Sequence, residues 1–142
     1  MTREPPVAEL VPHAGSMCLL ERVVEWTPER VLLATNTHRS PENPLRSDGM
    51  LRALHLCEYG AQAMAVHGGL LAAAAGDKAA PGLLVSLREV SLGVHRLDDL
   101  PGELLVEAEK LHRTPASWQY RFRVTHAGVE LAAGRAAVML RP

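Results

Sequence analysis

The stretch LRALHLCEYGAQAMAVHGGLLAAAA, residues 51–75, decides the fold of this chain. It is the longest apolar run in the sequence, rich in Ala, Leu and Met and without proline, and its pattern predicts one long helix. Apolar side chains fall on nearly every face, among them Leu51, Leu54, Leu56, Cys57, Ala61, Met64, Val66 and Leu70. A helix without a broad polar face is buried on most sides, so the rest of the chain has to wrap it. Four polar residues interrupt the run: His55, Glu58, Gln62 and His67. A carboxylate in such surroundings is costly unless paired, hydrogen-bonded or protonated, which singles out Glu58 as the candidate acid/base group. Gln62 follows at i+4 on the same helix face, where its amide can orient the Glu58 carboxylate.

On the N-terminal side, residues 38–49, HRSPENPLRSDG, read as a loop that delivers the chain into the helix. Ser47 or Asp48 is expected to cap it, leaving Gly49 to let the backbone approach a ligand at the positive helix end. Carbonyl or phosphate groups suit that position. Arg39, Arg46 and Arg52 surround the same entrance and suit an acidic carrier protein or a cofactor phosphate, although a solvated loop explains them equally. Further upstream, Met17–Trp26 and Val31–Thr37 read as a strand hairpin about the turn TPER, preceded by an extended lead-in with Pro5, Pro6 and Pro12.

On the C-terminal side the helix is expected to fade at Gly76–Asp77, and strands follow. The alternation Leu83, Val85, Leu87 changes phase to Val90, Leu92, Val94, which predicts a bulge near Arg88–Glu89. Leu104–Leu111 is the next strand. Trp118, Tyr120, Phe122 and Val124 then alternate with polar residues as a strand with one buried face, and His126-Ala127-Gly128 closes a hairpin into Val129–Leu140. Gly134 marks a bulge or a close-packing site. The order of strand, strand, long helix and four strands predicts an α+β architecture: one helix against an antiparallel sheet of about six strands.

With 142 residues the chain fits a single domain spanning 1–142. Its 15 Lys+Arg balance 16 Asp+Glu, and no basic run suggests nucleic acid. The N-terminus lacks the apolar core of a signal peptide, and polar residues break the one long apolar stretch. A cytoplasmic protein outside the membrane is therefore expected. Cys18 and Cys57 lack metal-ligand spacing and are too few for a disulfide framework, so reduced thiols and no metal are expected.

Two segments resemble a known family. LVPHAGSMCLLERVVEW, residues 10–26, and CEYGAQAMAVHGG, residues 57–69, are similar to the 3-hydroxyacyl-ACP dehydratases of the FabZ type, and more so to the ApeP-like dehydratase branch of that hotdog-fold superfamily. The resemblance implies a sheet wrapped around the central helix, with two subunits paired edge to edge as a homodimer, a higher oligomer of such dimers, or a heterodimer with a related dehydratase. Acyl thioesters would lie at the interface. No bound cofactor is implied, because the substrate rides on the phosphopantetheine of acyl carrier protein or CoA. Glu58 falls on the family's catalytic acidic position and Gln62 on its glutamine. Asn43 stands where FabZ-type enzymes carry the catalytic histidine, with a spacing to the glutamate one residue longer. Asparagine transfers no protons at neutral pH, but it holds a water or a carbonyl by hydrogen bonds. His13, His38 and His55 are candidates for the missing group, whereas His67, nine positions after Glu58, points roughly opposite. Three functions follow: a dehydratase using Glu58; a thioesterase in which Asn43 fixes a water or the carbonyl; and a catalytically degenerate subunit that binds a carrier or completes a heterodimer.

Overall fold

The computed structural model describes residues 18–76, 82–93, 96–114 and 116–140, so the lead-in and His13 lie outside the described residues. Six strands, β1 (Arg22–Thr27), β2 (Arg30–Thr35), β3 (Gly82–Leu92), β4 (Leu104–Arg113), β5 (Ser117–His126) and β6 (Val129–Leu140), form one antiparallel sheet in the order β1-β2-β4-β5-β6-β3. One long helix, α1 (Leu56–Ala74), lies across β2, β4, β5 and β6. The expected α+β architecture is present.

The alternation in β5 explains which way the sheet faces. Trp118, Tyr120, Phe122 and Val124 are buried toward α1, and Gln119, Arg121 and Arg123 are exposed on the outer face. That outer face carries ion pairs such as Arg30–Glu107 at 2.7 Å and Arg123–Glu130 at 2.9 Å. The two hairpins expected from sequence form where their turn residues dictate. Thr27 Oγ1 accepts from Glu29 N and Arg30 N at 3.2 Å each between β1 and β2, and Ala127 and Gly128, at φ 49° and 82°, join β5 to β6. The phase change in β3 is also real. Its register slips between Arg88 and Ser91, with Glu89 at φ 53°.

Helix and sheet meet along a seam of glycines. A Cβ on Gly60 would stand 2.5 Å from the Phe122 ring, and one on Gly68 would stand 2.2 Å from Trp118. Eight helical residues advance about 12 Å, and the four strand residues from Trp118 to Phe122 advance about 13 Å. The two spacings match, so α1 runs antiparallel to β5 with each aromatic ring seated on a glycine. Gly134, paired with Phe122 across β5 and β6, is a close-packing site rather than a bulge: its Cβ would stand 2.9 Å from the same ring.

β2 ends at Thr35 and β4 at Arg113, each two residues from expectation, and two boundaries differ by more. The helix starts at Leu56, after a 3-10 turn over Ala53–His55, and neither Ser47 nor Asp48 caps it. The backbone of Leu51 is committed elsewhere: its N–H donates to Asp98 Oδ1 at 2.9 Å and its carbonyl accepts from Leu97 N at 2.8 Å. A residue held in that bridge cannot make helical bonds. Ser47 and Met50 instead close a tight turn, each donating its N–H to the other's carbonyl at 2.9 Å, with Asp48 and Gly49 at φ 52° and 71°. Likewise β1 begins at Arg22 rather than near residue 17, because side chains rather than strand neighbours bind the Leu19 backbone. The C-terminal end of the helix matches: α1 stops at Ala74, and Gly76 turns the chain at φ 79°.

Candidate active site

Glu58 lies half-buried in the first turn of α1. Gln62 Nε2 donates to Glu58 Oε1 at 3.2 Å, while Gln62 Oε1 accepts the Leu19 N–H at 2.9 Å. The backbone donor settles the orientation of the amide: with the oxygen turned to Leu19, the NH2 has to face Glu58. Gln62, only 1% exposed, therefore ties the carboxylate to the segment that precedes β1.

A second group of side chains holds that segment. Thr35 Oγ1 and Thr37 Oγ1 each donate to the Leu19 carbonyl at 2.6 Å. Thr37 Oγ1 stands 2.9 Å from the Tyr59 hydroxyl, which accepts from Asn43 Nδ2 at 3.0 Å. Asn43 is buried. Its second amide hydrogen goes to Thr37 O at 2.9 Å, and its Oδ1 accepts from Leu45 N at 2.9 Å. The asparagine thus folds the 37–45 loop onto the first turn of α1 and spends both amide hydrogens there. Burial pushes the Tyr59 phenol above its ordinary range, and its hydrogen bonds to Thr37 and Asn43 act the other way.

Thr35, Thr37 and Tyr59 were not singled out from sequence. The signal was weak but present: two threonines two residues apart, Thr35 ending β2 and Thr37 just beyond it, and a hydroxyl-bearing aromatic beside Glu58.

The histidines divide. His67 is fully buried toward the far end of α1, with Nδ1 2.6 Å from the Tyr120 hydroxyl and Nε2 2.8 Å from the Thr27 carbonyl. Nε2 carries the hydrogen, because a carbonyl only accepts, and Nδ1 accepts from Tyr120. His67 fastens α1 to the sheet. His55, half-buried, is the residue immediately before α1. His38 is fully buried in a 3-10 turn, donates from Nε2 to the Leu100 carbonyl at 3.0 Å, and has no partner for Nδ1 among the described residues.

Burial lowers the His38 pKa from its ordinary 6.5; the Leu100 carbonyl opposes this, His126 and Arg39 add to it, and Glu21 weakly opposes it. The folded protein therefore takes up this proton less readily than the unfolded chain. Its contribution to stability is complete above about pH 6.5 and is lost as pH falls through the lowered folded value. Arg96 holds the Asp98 carboxyl well below the usual carboxylate range, so Asp98 stays charged across that window. The urea midpoint should decline between about pH 7 and 5 in the native protein and less steeply in His38→Gln. Equal slopes would place the sensitivity elsewhere.

The basic residues of the loop are partly used within it. Arg46 donates to Gly49 O at 3.3 Å and to Arg39 O at 3.1 Å, and Arg52 donates to Ser47 Oγ at 2.7 Å; Arg39 is exposed. Gly49 sits in the Ser47–Met50 turn, several residues before the helix N-terminus. Cys57 is buried and Cys18 half-buried, and burial raises both thiols above their ordinary range. Among the described residues no cluster of His, Cys, Asp and Glu could hold a metal, and no helix is long and apolar enough to cross a membrane.

Residues 5–142 match the family model of the ApeP-like proteins, described as ApeP dehydratase. The chain belongs to the ApeP-like family. Among curated proteins, none matches it. Solved structures share the fold of this ApeP-like chain. The dehydratase heterocomplex ApeI:P from Xenorhabdus doucetiae is 23% identical, with a TM-score of 0.87 over 99% of this chain and 93% of that one. AziG from S. sahachiroi is 20% identical, with a TM-score of 0.58 over 94% and 99% of the two chains. A hypothetical thioesterase solved with coenzyme A, from Streptococcus pneumoniae TIGR4, is 13% identical, with a TM-score of 0.61 over 84% of each. The six-stranded sheet and single long helix of the ApeP-like chain are those of the hotdog fold.

Proposed function

We propose that this ApeP-like protein dehydrates 3-hydroxyacyl thioesters carried on acyl carrier protein or CoA, in fatty-acid or polyene-type synthesis, with Glu58 as the acid/base group. The observation that supports it is the fixed pair at the head of α1: a half-buried carboxylate held at one oxygen by an oriented amide. In the reaction the C2 proton beside the thioester carbonyl is removed, the C3–O bond breaks, and the departing hydroxyl takes a proton and leaves as water. A carboxylate kept in one orientation suits such a transfer. The second proton-carrying group is His55, His13 or a residue of a partner subunit.

The partner reading draws support from the dehydratase heterocomplex ApeI:P, a chain of which shares this fold. In this chain β3 is an edge strand, and Leu87, Val90 and Leu92 on it are 37–42% exposed. Pairing there with a second subunit would cover both the strand edge and these side chains. The thioesterase alternative loses ground to the geometry of Asn43, whose amide hydrogens are both engaged, one by the Thr37 carbonyl in the loop and one by Tyr59 on α1.

Mass spectrometry of 3-hydroxyacyl-ACP, incubated with the protein alone and with a related dehydratase subunit, tests this. Loss of water to a 2,3-enoyl thioester is the expected product. Release of free thiol would establish the thioesterase instead, and intact substrate in both samples would refute catalysis.

A further inference from the structure

We infer that Asn43, Tyr59 and Thr37 are positioning residues for Glu58, acting through one directional chain of hydrogen bonds that ends on its carboxylate. The inference rests on the proposal that Glu58 carries the proton.

Donors and acceptors fix the direction. Leu45 N–H donates to Asn43 Oδ1, and Asn43 Nδ2 donates to the Tyr59 oxygen at 3.0 Å. Thr37 Oγ1 spends its single hydrogen on the Leu19 carbonyl at 2.6 Å, so the 2.9 Å contact between Thr37 and Tyr59 needs Tyr59 as the donor. The Leu19 N–H then donates to Gln62 Oε1 at 2.9 Å, and Gln62 Nε2 donates to Glu58 Oε1 at 3.2 Å. On both sides of Leu19 the links pass their hydrogens the same way, and the Leu19 backbone joins the two halves, its carbonyl and its N–H belonging to the peptide groups that flank its Cα. Thr35 fits the scheme as a brace: it also donates to the Leu19 carbonyl, and its oxygen accepts from Thr37 N at 3.2 Å.

Most of the chain is shielded from water. Tyr59 and Thr35 are fully buried, Gln62 is 1% exposed and Asn43 6% exposed. In such surroundings a broken link leaves an unmade hydrogen bond that solvent cannot replace, so the members keep their geometry together. Asn43, which by resemblance stands where FabZ-type enzymes carry a histidine, therefore serves the reaction without carrying a proton. It sets Tyr59 and Thr37, these fix the Leu19 carbonyl and with it the backbone of that residue, and the Leu19 N–H, on the other side of its Cα, decides which way the Gln62 amide faces. If Gln62 turned over, it would present its oxygen to the Glu58 carboxylate.

Tyr59→Phe removes the middle link with little change of shape, and Thr37→Val provides a second break should the first fail to fold. In either folded variant the side-chain amide resonances of Gln62, assigned with Gln62→Ala, should shift and exchange faster with solvent. With a dehydration assay, Tyr59→Phe should lower kcat about tenfold and leave KM within about twofold, since misplacement of a catalytic group acts on the chemical step. In a Gln62→Ala background the same substitution should have no further effect on kcat. Unchanged Gln62 resonances in both variants, or an equal loss of kcat with and without Gln62, would overturn the relay. Turnover retained by Glu58→Gln would instead overturn the role of Glu58, and the relay would still be judged by the Gln62 resonances.

Discussion

Glu58→Gln should abolish turnover while the fold survives, with kcat falling about a hundred- to ten-thousandfold, the range associated with a general acid or base. The substitution suits the site. The glutamine carbonyl can still accept from Gln62 Nε2, so the arm that holds Glu58 at 3.2 Å stays in place while proton transfer is lost. Stability should change by about 1 kcal/mol, because a charge-assisted hydrogen bond becomes a neutral one at a half-buried position. Gln62→Ala is the informative companion. It keeps the carboxylate but removes the amide that orients it, and it leaves the Leu19 N–H without its buried acceptor. A smaller loss of kcat together with a larger loss of stability is expected there. Circular dichroism and urea unfolding measure the stabilities, and enoyl-thioester formation measures the turnover. Wild-type-like turnover in Glu58→Gln would make the carboxylate structural, and the proton transfer would then belong to another group.

The candidate pair was legible in sequence, whereas its surroundings were not. Glu58 and Gln62 stand out because polar residues at i and i+4 in an apolar helix demand an explanation. The sheet was legible for a similar reason: period-two alternation in β5 leaves only one way to bury Trp118, Tyr120, Phe122 and Val124. The start of the helix was hidden. Leu51, Ala53 and Leu54 continue the apolar pattern, yet Leu51 is held by Asp98 and Leu97, partners so distant in sequence that no local signal records them. The network around Asn43 was hidden in the same way, because Thr35, Thr37 and Gln62 converge on the backbone of Leu19, whose side chain advertises nothing. Long-range bonds to main-chain atoms are the part of a site that residue types do not announce.

Gly68→Ala should destabilise the protein by about 3 kcal/mol, at the upper end of what an added methyl costs in a packed core. Two effects oppose each other here. Replacing glycine by alanine inside a helix favours folding by about 1 kcal/mol. The new methyl, however, would stand 2.2 and 2.3 Å from two carbons of the Trp118 ring, where ordinary carbon contacts need about 3.5–4.0 Å. Relief would require the ring or the helix to move by more than an ångström. Lifting α1 at Gly68 also disturbs the Gly60–Phe122 contact, because both lie on one seam of a rigid helix, and the core around Tyr120 and Met64 lies between them. The clash therefore outweighs the gain in helix propensity. A Trp118→Leu background decides the cause. Trp118→Leu alone should lower stability by opening a cavity, but within it Gly68→Ala should become neutral or stabilising, since the propensity gain remains and the obstructing ring is gone. Urea unfolding of the four proteins measures the cycle. A destabilisation of equal size in both backgrounds would mean that the glycine meets something other than Trp118, and the helix–sheet seam would lose its explanation.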